Sequence, residues 1–352
     1  MRENLESLSQ QYPLDQSWPK PEIYKETLRL EGLELELVGL SIEREDGTIV
    51  TASAADVEGS PLRRAYFELT ERAALFAKRD ANTFYNALDA MGGTCAVLRE
   101  DQVFIPNPNP REWKFSLSNG VAAHTDFEAA AESAFLELVE RDRILRSWYG
   151  GLRPKAITRQ IAQSSLLDQL SAWYDIEVFE FDEQLPGESR LAIGVRVVGV
   201  FAFPKPNTGG ASPFVYGFGA KRDLNLAFNH AIRECIQRVG FLWGEALSEE
   251  LPEFSASPDY HQEVFLRAPG QRNIRRWLSG EHASASGCAL RATRVDPQGE
   301  RVVFADITPE SVKGSVWVLK ALSASRQPLW FGKGSRFLER NLSDEFLIHP
   351  VV

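Results

Sequence analysis

Two five-residue runs, Glu68-Leu69-Thr70-Glu71-Arg72 and Glu137-Leu138-Val139-Glu140-Arg141, share the pattern E-L-x-E-R. On a helix, glutamates at i and i+3 lie on one face with Cβ atoms about 5–6 Å apart. Carboxylates that close repel each other unless a cation lies between or beside them. A hard cation such as Mg²⁺ takes oxygen ligands, commonly one or two carboxylates together with phosphate oxygens. Two such helices packed together would place four carboxylates around a nucleotide polyphosphate. Arg72 and Arg141 would then contact phosphate or orient the glutamates. A third helical run carries Glu234 and Gln237 at the same i, i+3 spacing. A neutral Gln237 can share a metal with Glu234 without full charge repulsion. The plainer reading is a solvated helix face, where Glu–Arg pairs contribute little. Repetition favours the chemical reading, but by itself it names no ligand.

Other chemistries leave no mark. There is no GxxxxGK[ST] phosphate loop, no GxSxG and no HExxH. The three cysteines, Cys95, Cys235 and Cys288, are widely spaced and form no CxxC or Cys/His ligand set; they read as reduced thiols. His124 precedes a helix start and reads as a local capping or packing residue, and His230 reads as structural. The tryptophans, among them Trp148, Trp243, Trp317 and Trp330, read as core. No residue stands out as a catalytic base.

The elements that must carry these residues can be traced along the chain. Residues 1–24 are polar, with Pro13, Pro19 and Pro21, and read as an N-terminal arm. Alternating runs from Leu28 to Val50, a turn at Asp46-Gly47 and a strand over TIVTAS predict a hairpin. Residues 60–80 have helical spacing, with Ser60 as cap and Pro61 at the first position. Residues 125–150 give the strongest helix, capped by Thr125 or Asp126. Strand-like runs between 176 and 218 lead to a third long helix from Leu224. A polar stretch near 255–300 separates these from strands over RVVFAD and SVWVLKAL. Hairpins with three long helices predict an α+β fold of mixed or antiparallel sheets. No Pro/Gly/Ser linker divides residues 25–352, which read as one domain.

The chain has 352 residues, 43% of them hydrophobic, and a net charge of −10, enough for a large core and without the basic footprint of a nucleic-acid binder. No signal-peptide core and no long apolar run occurs, so the expectation is a cytoplasmic protein with no membrane span.

Several segments together carry a family resemblance. SNGVAAHTDFEAAAESAFLELVERDRILRSWYG (118–150) places Ser118-Asn119-Gly120 in a turn and Ser133, Glu137, Glu140 and Arg141 in an S-xxx-E-xx-E-R helix. YGFGAKRDLNLAFNHAIRECIQ ends in E-xx-Q, and FADITPESVKGSVWVLKALSASRQPLWFGKGSRFLE follows near the C-terminal end. The order and content resemble the YcaO family over roughly residues 55 to 340. The resemblance implies a YcaO-type domain that binds ATP and Mg²⁺ without a Walker loop. It implies Glu68, Glu71, Glu137, Glu140 and Glu234 as metal ligands, with Arg72, Ser133, Arg141, Gln237 and Arg336 completing the nucleotide site. The implied reaction is cyclodehydration. A Cys, Ser or Thr side chain of a ribosomally made precursor peptide attacks the preceding backbone carbonyl. The oxyanion takes the γ-phosphate of ATP, and loss of phosphate leaves an azoline. Implied partners are the precursor peptide, a leader-peptide-binding partner subunit (E1-like or RRE-containing) and a flavin dehydrogenase; a homodimer is also compatible. Thioamide or amidine formation uses the same ATP site and stays open, as does a non-catalytic scaffold subunit. Two departures bear on the latter: Arg64 stands where the family has a small residue, and the chain ends LIHPVV where many cyclodehydratases carry PxPxP.

Overall fold

The computed structural model describes residues 4–57, 59–76, 84–99, 103, 118–158, 165–182, 184, 187–206, 212–245, 247–248, 250–281, 299–327, 329–333 and 346–352. Contacts divide the chain into two compact units, Met1–Leu138 with Arg301–Ser323, and Val139–Glu300 with Ala324–Val352. The fold is α+β, and every strand pairing among the described residues is antiparallel.

Among its described residues the first unit holds two sheets. One is a meander of β1 (Glu22–Leu30), β2 (Leu33–Glu43) and β3 (Ile49–Asp56). The hairpin predicted around Asp46-Gly47 joins β2 to β3, with Gly47 at φ 80° in a conformation that favours glycine. Val38, Leu40 and Ile42 alternate with Val50, Ala52 and Ala54 on one face. Against them packs α2 (Leu62–Leu75) through Leu62, Ala65, Tyr66, Leu69 and Ala73. Pro61, rather than Ser60, stands at the cap, and no side chain caps this helix.

The first 24 residues contain a short helix, α1 (Leu5–Gln11), and bury Leu8, Tyr12 and Trp18 in the same core. The second sheet runs β5 (Thr94–Arg99), β4 (Phe84–Leu88), β11 (Val303–Asp306), β12 (Trp317–Leu322) and β6 (Val121–His124), leaving β6 at its edge.

The long helix α3 (Phe127–Gly150) begins where expected, with Asp126 Oδ1 accepting the Ala129 N–H at 2.8 Å. The boundary between the units falls inside it, after Leu138, so no linker marks the division in the sequence.

Among its described residues the second unit has one sheet, in the order β10 (Val215–Lys221), β9 (Arg196–Pro204), β8 (Tyr174–Glu180) and β7 (Lys155–Ala156). Its helices beyond α3 are α4 (Ser165–Leu170), α5 (Leu224–Leu242), α6 (Pro258–Leu266) and α7 (Ala268–Ser279). The last two lie in the stretch that the sequence showed only as polar. The core is aromatic: Trp148 meets Phe265, Trp277 and Phe346 edge to face. The C-terminal segment belongs to this core. Trp148 Nε1 donates to Phe346 O at 3.0 Å, and Tyr149 Oη donates to Leu347 O at 3.1 Å. His349 is fully buried.

Candidate functional site: carboxylates on strand edges

Within the first unit, α2 stands beside the edges of both sheets. Glu68 Oε2 accepts the Ser53 N–H of β3 at 3.3 Å, and Glu71 Oε1 accepts the Ala123 N–H of β6 at 2.8 Å. Each strand is the last of its sheet. The i, i+3 pair therefore divides its work, one carboxylate to each sheet. Glu137 on α3 takes the Val121 N–H through Oε2 at 2.8 Å. Alternate N–H groups of a strand point the same way, so Val121 and Ala123 form the open side of β6, and the two glutamates satisfy both.

Gly120 makes this approach feasible. Its φ is +70°, and a Cβ there would lie 2.9 Å from Ala321 O and 3.2 Å from Leu138 Cβ. Arg72 orients Glu68: Nη2 lies 2.6 Å from Oε1, and Nη1 donates to Thr51 O at 2.7 Å.

These three carboxylates influence one another. Burial pushes the Glu71 carboxyl up to about 8; the Ala123 N–H opposes this, Glu137 and Glu68 add to it, and Arg72 opposes it. By exposed area Glu71 is only half-buried, but the protein packed around its carboxylate strips enough water for desolvation to dominate. A buried lysine that the sequence reading missed stands on the same sheet. Lys320, opposite Val121 in the ladder, donates from Nζ to Val103 O at 2.8 Å. Burial brings its ammonium down to about 7, with Glu137 opposing. Within SVWVLKAL it had no signal beyond being one cation in an apolar strand.

In the second unit the same construction recurs. Glu234 Oε2 accepts the Phe218 N–H of the edge strand β10 at 2.7 Å. The separation between donor and glutamate is 16 residues, as it is for Val121 and Glu137. Each helix is also capped by an aspartate, Asp126 or Asp223. Here the close approach depends on Gly217, where a Cβ would lie 2.2 Å from Ala231 O and 2.4 Å from Cys235 N. The motif on α5 has a fifth member that the sequence reading left out: Glu234, Gln237 and then Arg238 read E-x-x-Q-R. Arg238 Nη2 lies 3.4 Å from Glu234 Oε1, and its guanidinium sits 4.4 Å from the centroid of the Tyr216 ring.

Ser133, Gln237, Glu140 and Arg141 are half-buried. Ser133 lies one turn before Glu137 on α3, while Glu140 and Arg141 follow the unit boundary. Arg336 and Cys288 lie outside the described residues. Arg64 is engaged locally, donating to Ala55 O at 2.5 Å and pairing with Asp56 at 3.6 Å. Just past Arg141, Asp142 is fully buried. Its Oδ2 lies 3.1 Å from Arg326 Nη1, and its Oδ1 accepts the Gln327 N–H at 2.7 Å. Arg326 also grips Glu300 with two bonds of 2.8 Å. This clamp fixes the register of α3 in the second unit.

Among the described residues, no group of three or more His, Cys, Asp or Glu could by itself hold a metal ion.

A family model described as YcaO cyclodehydratase, ATP- and Mg²⁺-binding, matches residues 30–323. The chain belongs to the YcaO family. It is thus a member of a family of ATP-dependent cyclodehydratases whose cofactors are ATP and Mg²⁺. Among solved structures, the YcaO protein from Methanopyrus kandleri bound with AMPPCP and Mg²⁺ is 18% identical. The match covers 86% of this chain and 85% of that one, with a TM-score of 0.58. The microcin synthetase McbBCD complex of E. coli matches at 16% identity, over 92% of this chain and 90% of that one, with a TM-score of 0.61. A heterocyclase in complex with substrate and cofactor matches at 17% identity over 99% of this chain and 57% of its own length, with a TM-score of 0.58. At such identities the likeness is one of fold. A search of curated protein sequences found no match. Among the described residues, no helix is long and apolar enough to cross a membrane.

Crowding at the YcaO carboxylates has a measurable consequence. Glu71 has a raised pKa in the folded state, so its contribution to stability is present at low pH and is lost as pH rises toward about 8. The metal-free protein should therefore lose stability between about pH 5 and pH 7, and Glu71→Gln should flatten that slope. Lys320, brought down to about 7, begins to lose its proton only in the upper part of this window, where its own titration works against the slope, so the lower part isolates Glu71. Chemical denaturation of both proteins across the window checks this; parallel slopes would refute it.

Proposed function

We propose that this chain is the ATP-dependent catalytic subunit of a peptide-modifying complex, forming azolines from Cys, Ser or Thr residues of a ribosomally made precursor peptide. The observation that carries the proposal is the edge-strand anchoring. Glu68, Glu71, Glu137 and Glu234 each have one carboxylate oxygen tied to a backbone N–H, which fixes the carboxylate before any ligand arrives. Prepositioned carboxyl groups suit a cation that carries phosphate, because little reorganisation is needed beyond loss of the Glu71 proton when the cation arrives. Together with family membership, this supports Glu68, Glu71 and Glu137 of the first unit and Glu234 of the second as ligands of Mg²⁺; Glu140 is included with them on its place in the repeated E-L-x-E-R motif. Arg72, Ser133, Arg141, Gln237 and Arg336 are proposed to contact the nucleotide.

Bound Mg²⁺·ATP supplies the phosphoryl group that turns the amide oxygen into a leaving group. The protein's task is to hold that nucleotide against the peptide and to offset the charge that develops on phosphate. Arg72 keeps Glu68 aligned, and the backbone donors tether one oxygen each of Glu71 and Glu137. Two structural neighbours, a synthetase complex and a heterocyclase with substrate, support a peptide substrate and partner proteins. A leader-peptide-binding subunit is therefore part of the proposal, with a flavin dehydrogenase as a later partner where azoles are formed.

Co-expression with a precursor peptide and its partner subunit, followed by mass spectrometry, tests the reading. Loss of one water per modified Cys, Ser or Thr is expected. Exchange of oxygen for sulfur would replace the azoline assignment with thioamide formation. An unmodified peptide, with no ATP consumed, would favour the scaffold reading.

A further inference from the structure

Arg238 was not among the residues expected to act, yet it completes the third copy of the E-x-x-[E/Q]-R pattern. Its surroundings differ from those of Arg72. Arg72 lies 2.6 Å from Glu68 and donates to a strand carbonyl, and nearly half of its side chain remains exposed. Arg238 is 14% exposed, stacks over Tyr216 at 4.4 Å, and reaches Glu234 Oε1 only at 3.4 Å. A charge-assisted hydrogen bond at full strength is about 2.7–2.9 Å long, so the Arg238–Glu234 contact is a loose one. The ring gives the guanidinium a second place to rest, through a cation–π contact that does not depend on the carboxylate. Glu234, meanwhile, stays fixed by Phe218 N–H through Oε2. Only Oε1 is shared with the arginine.

We propose that Arg238 is a positioning residue that acts through Glu234: in the metal-free protein it covers Oε1, and it yields that oxygen to an arriving divalent cation while remaining on the Tyr216 ring. The inference rests on Glu234 being a metal ligand, as proposed above. Its physical basis is competition. A guanidinium and a divalent cation cannot both sit against one carboxylate oxygen without repulsion. Solvent at the half-exposed Glu234 weakens that repulsion without removing it. Arg238 would thus hold the site closed to loose cations and open it only where phosphate offsets the added charge.

The test uses Mn²⁺ alone, an oxygen-preferring ion whose free concentration can be read by electron paramagnetic resonance during titration of the full chain. Arg238→Gln should bind Mn²⁺ roughly tenfold more tightly than the parent, and Arg238→Lys should fall between them. In a Glu234→Gln background, Arg238→Gln should have no effect on Mn²⁺ affinity. A merely structural arginine would lower the melting temperature without tightening metal binding. If Glu234→Gln weakens Mn²⁺ binding but Arg238→Gln leaves it unchanged, the competition is refuted while the metal assignment stands. If Glu234→Gln itself has no effect, the metal assignment at Glu234 fails and takes this inference with it.

Discussion

Glu137→Gln should lower ATP turnover by about 10²-fold, while the metal-free protein melts at the same temperature as the parent or higher. The two halves of this result have separate causes. A glutamine oxygen can still accept the Val121 N–H, so the edge of β6 stays satisfied. What disappears is one anionic oxygen, and with it part of the proposed clamp on metal-bound phosphate. Removing that charge also relieves Glu71, whose carboxyl is pushed up partly by Glu137. Lys320 loses a favourable neighbour, which tempers the gain. Phosphate release in the presence of precursor peptide and partner subunit gives the first measurement, and scanning fluorimetry without metal gives the second. A variant with normal turnover would remove Glu137 from the site.

Arg326→Met should destabilise the protein by about 3–5 kcal/mol, the usual consequence of leaving buried charges without their partner. Asp142 and Glu300 would both lose this arginine and keep the Gln327 and Ser189 N–H groups; the first is fully buried, and the side chain of the second is 1% exposed. Burial already pushes the Asp142 carboxyl upward, with Arg326 among the groups that oppose this. Arg29→Met, which breaks a solvated pair with Glu34, is the comparison and should leave the denaturation midpoint unchanged. Equal midpoints for the two variants would show that the clamp around Arg326 carries no weight.

The long helices were legible because each repeats its apolar residues at helical spacing and carries a signature at i, i+3. The hairpin of β2 and β3 was legible from alternation and one Asp-Gly turn. Helices α6 and α7 were missed because each is short and Ala268-Pro269-Gly270 interrupts the run. Ser257, whose Oγ accepts the Tyr260 N–H, and the spacing of Ile274, Trp277 and Leu278 were the available signals. Of the candidate site, the glutamates were visible as residue types, but their backbone partners were not. An amide N–H on Val121 or Phe218 looks like any other in a sequence, and only pairing order makes it an edge. Arg238 was readable as the fifth letter of a repeated motif, whereas the clamp around Asp142 joins residues too far apart to suggest one another.

The strand edges have a consequence for the behaviour of the protein at high concentration. An open row of N–H groups is a template on which a second chain can add a strand, and proteins ordinarily block such rows with charge, proline or a covering element. In this protein Glu68, Glu71, Glu137 and Glu234 occupy donors on β3, β6 and β10. The side chains proposed to serve the nucleotide are therefore also the guards against intermolecular sheet growth. Glutamine keeps an acceptor in place, but alanine does not. Alanine variants at these positions leave a strand N–H without its acceptor beneath a packed helix, at a cost of about 1–3 kcal/mol, and a loss of activity in them would report a loosened strand edge as much as chemistry.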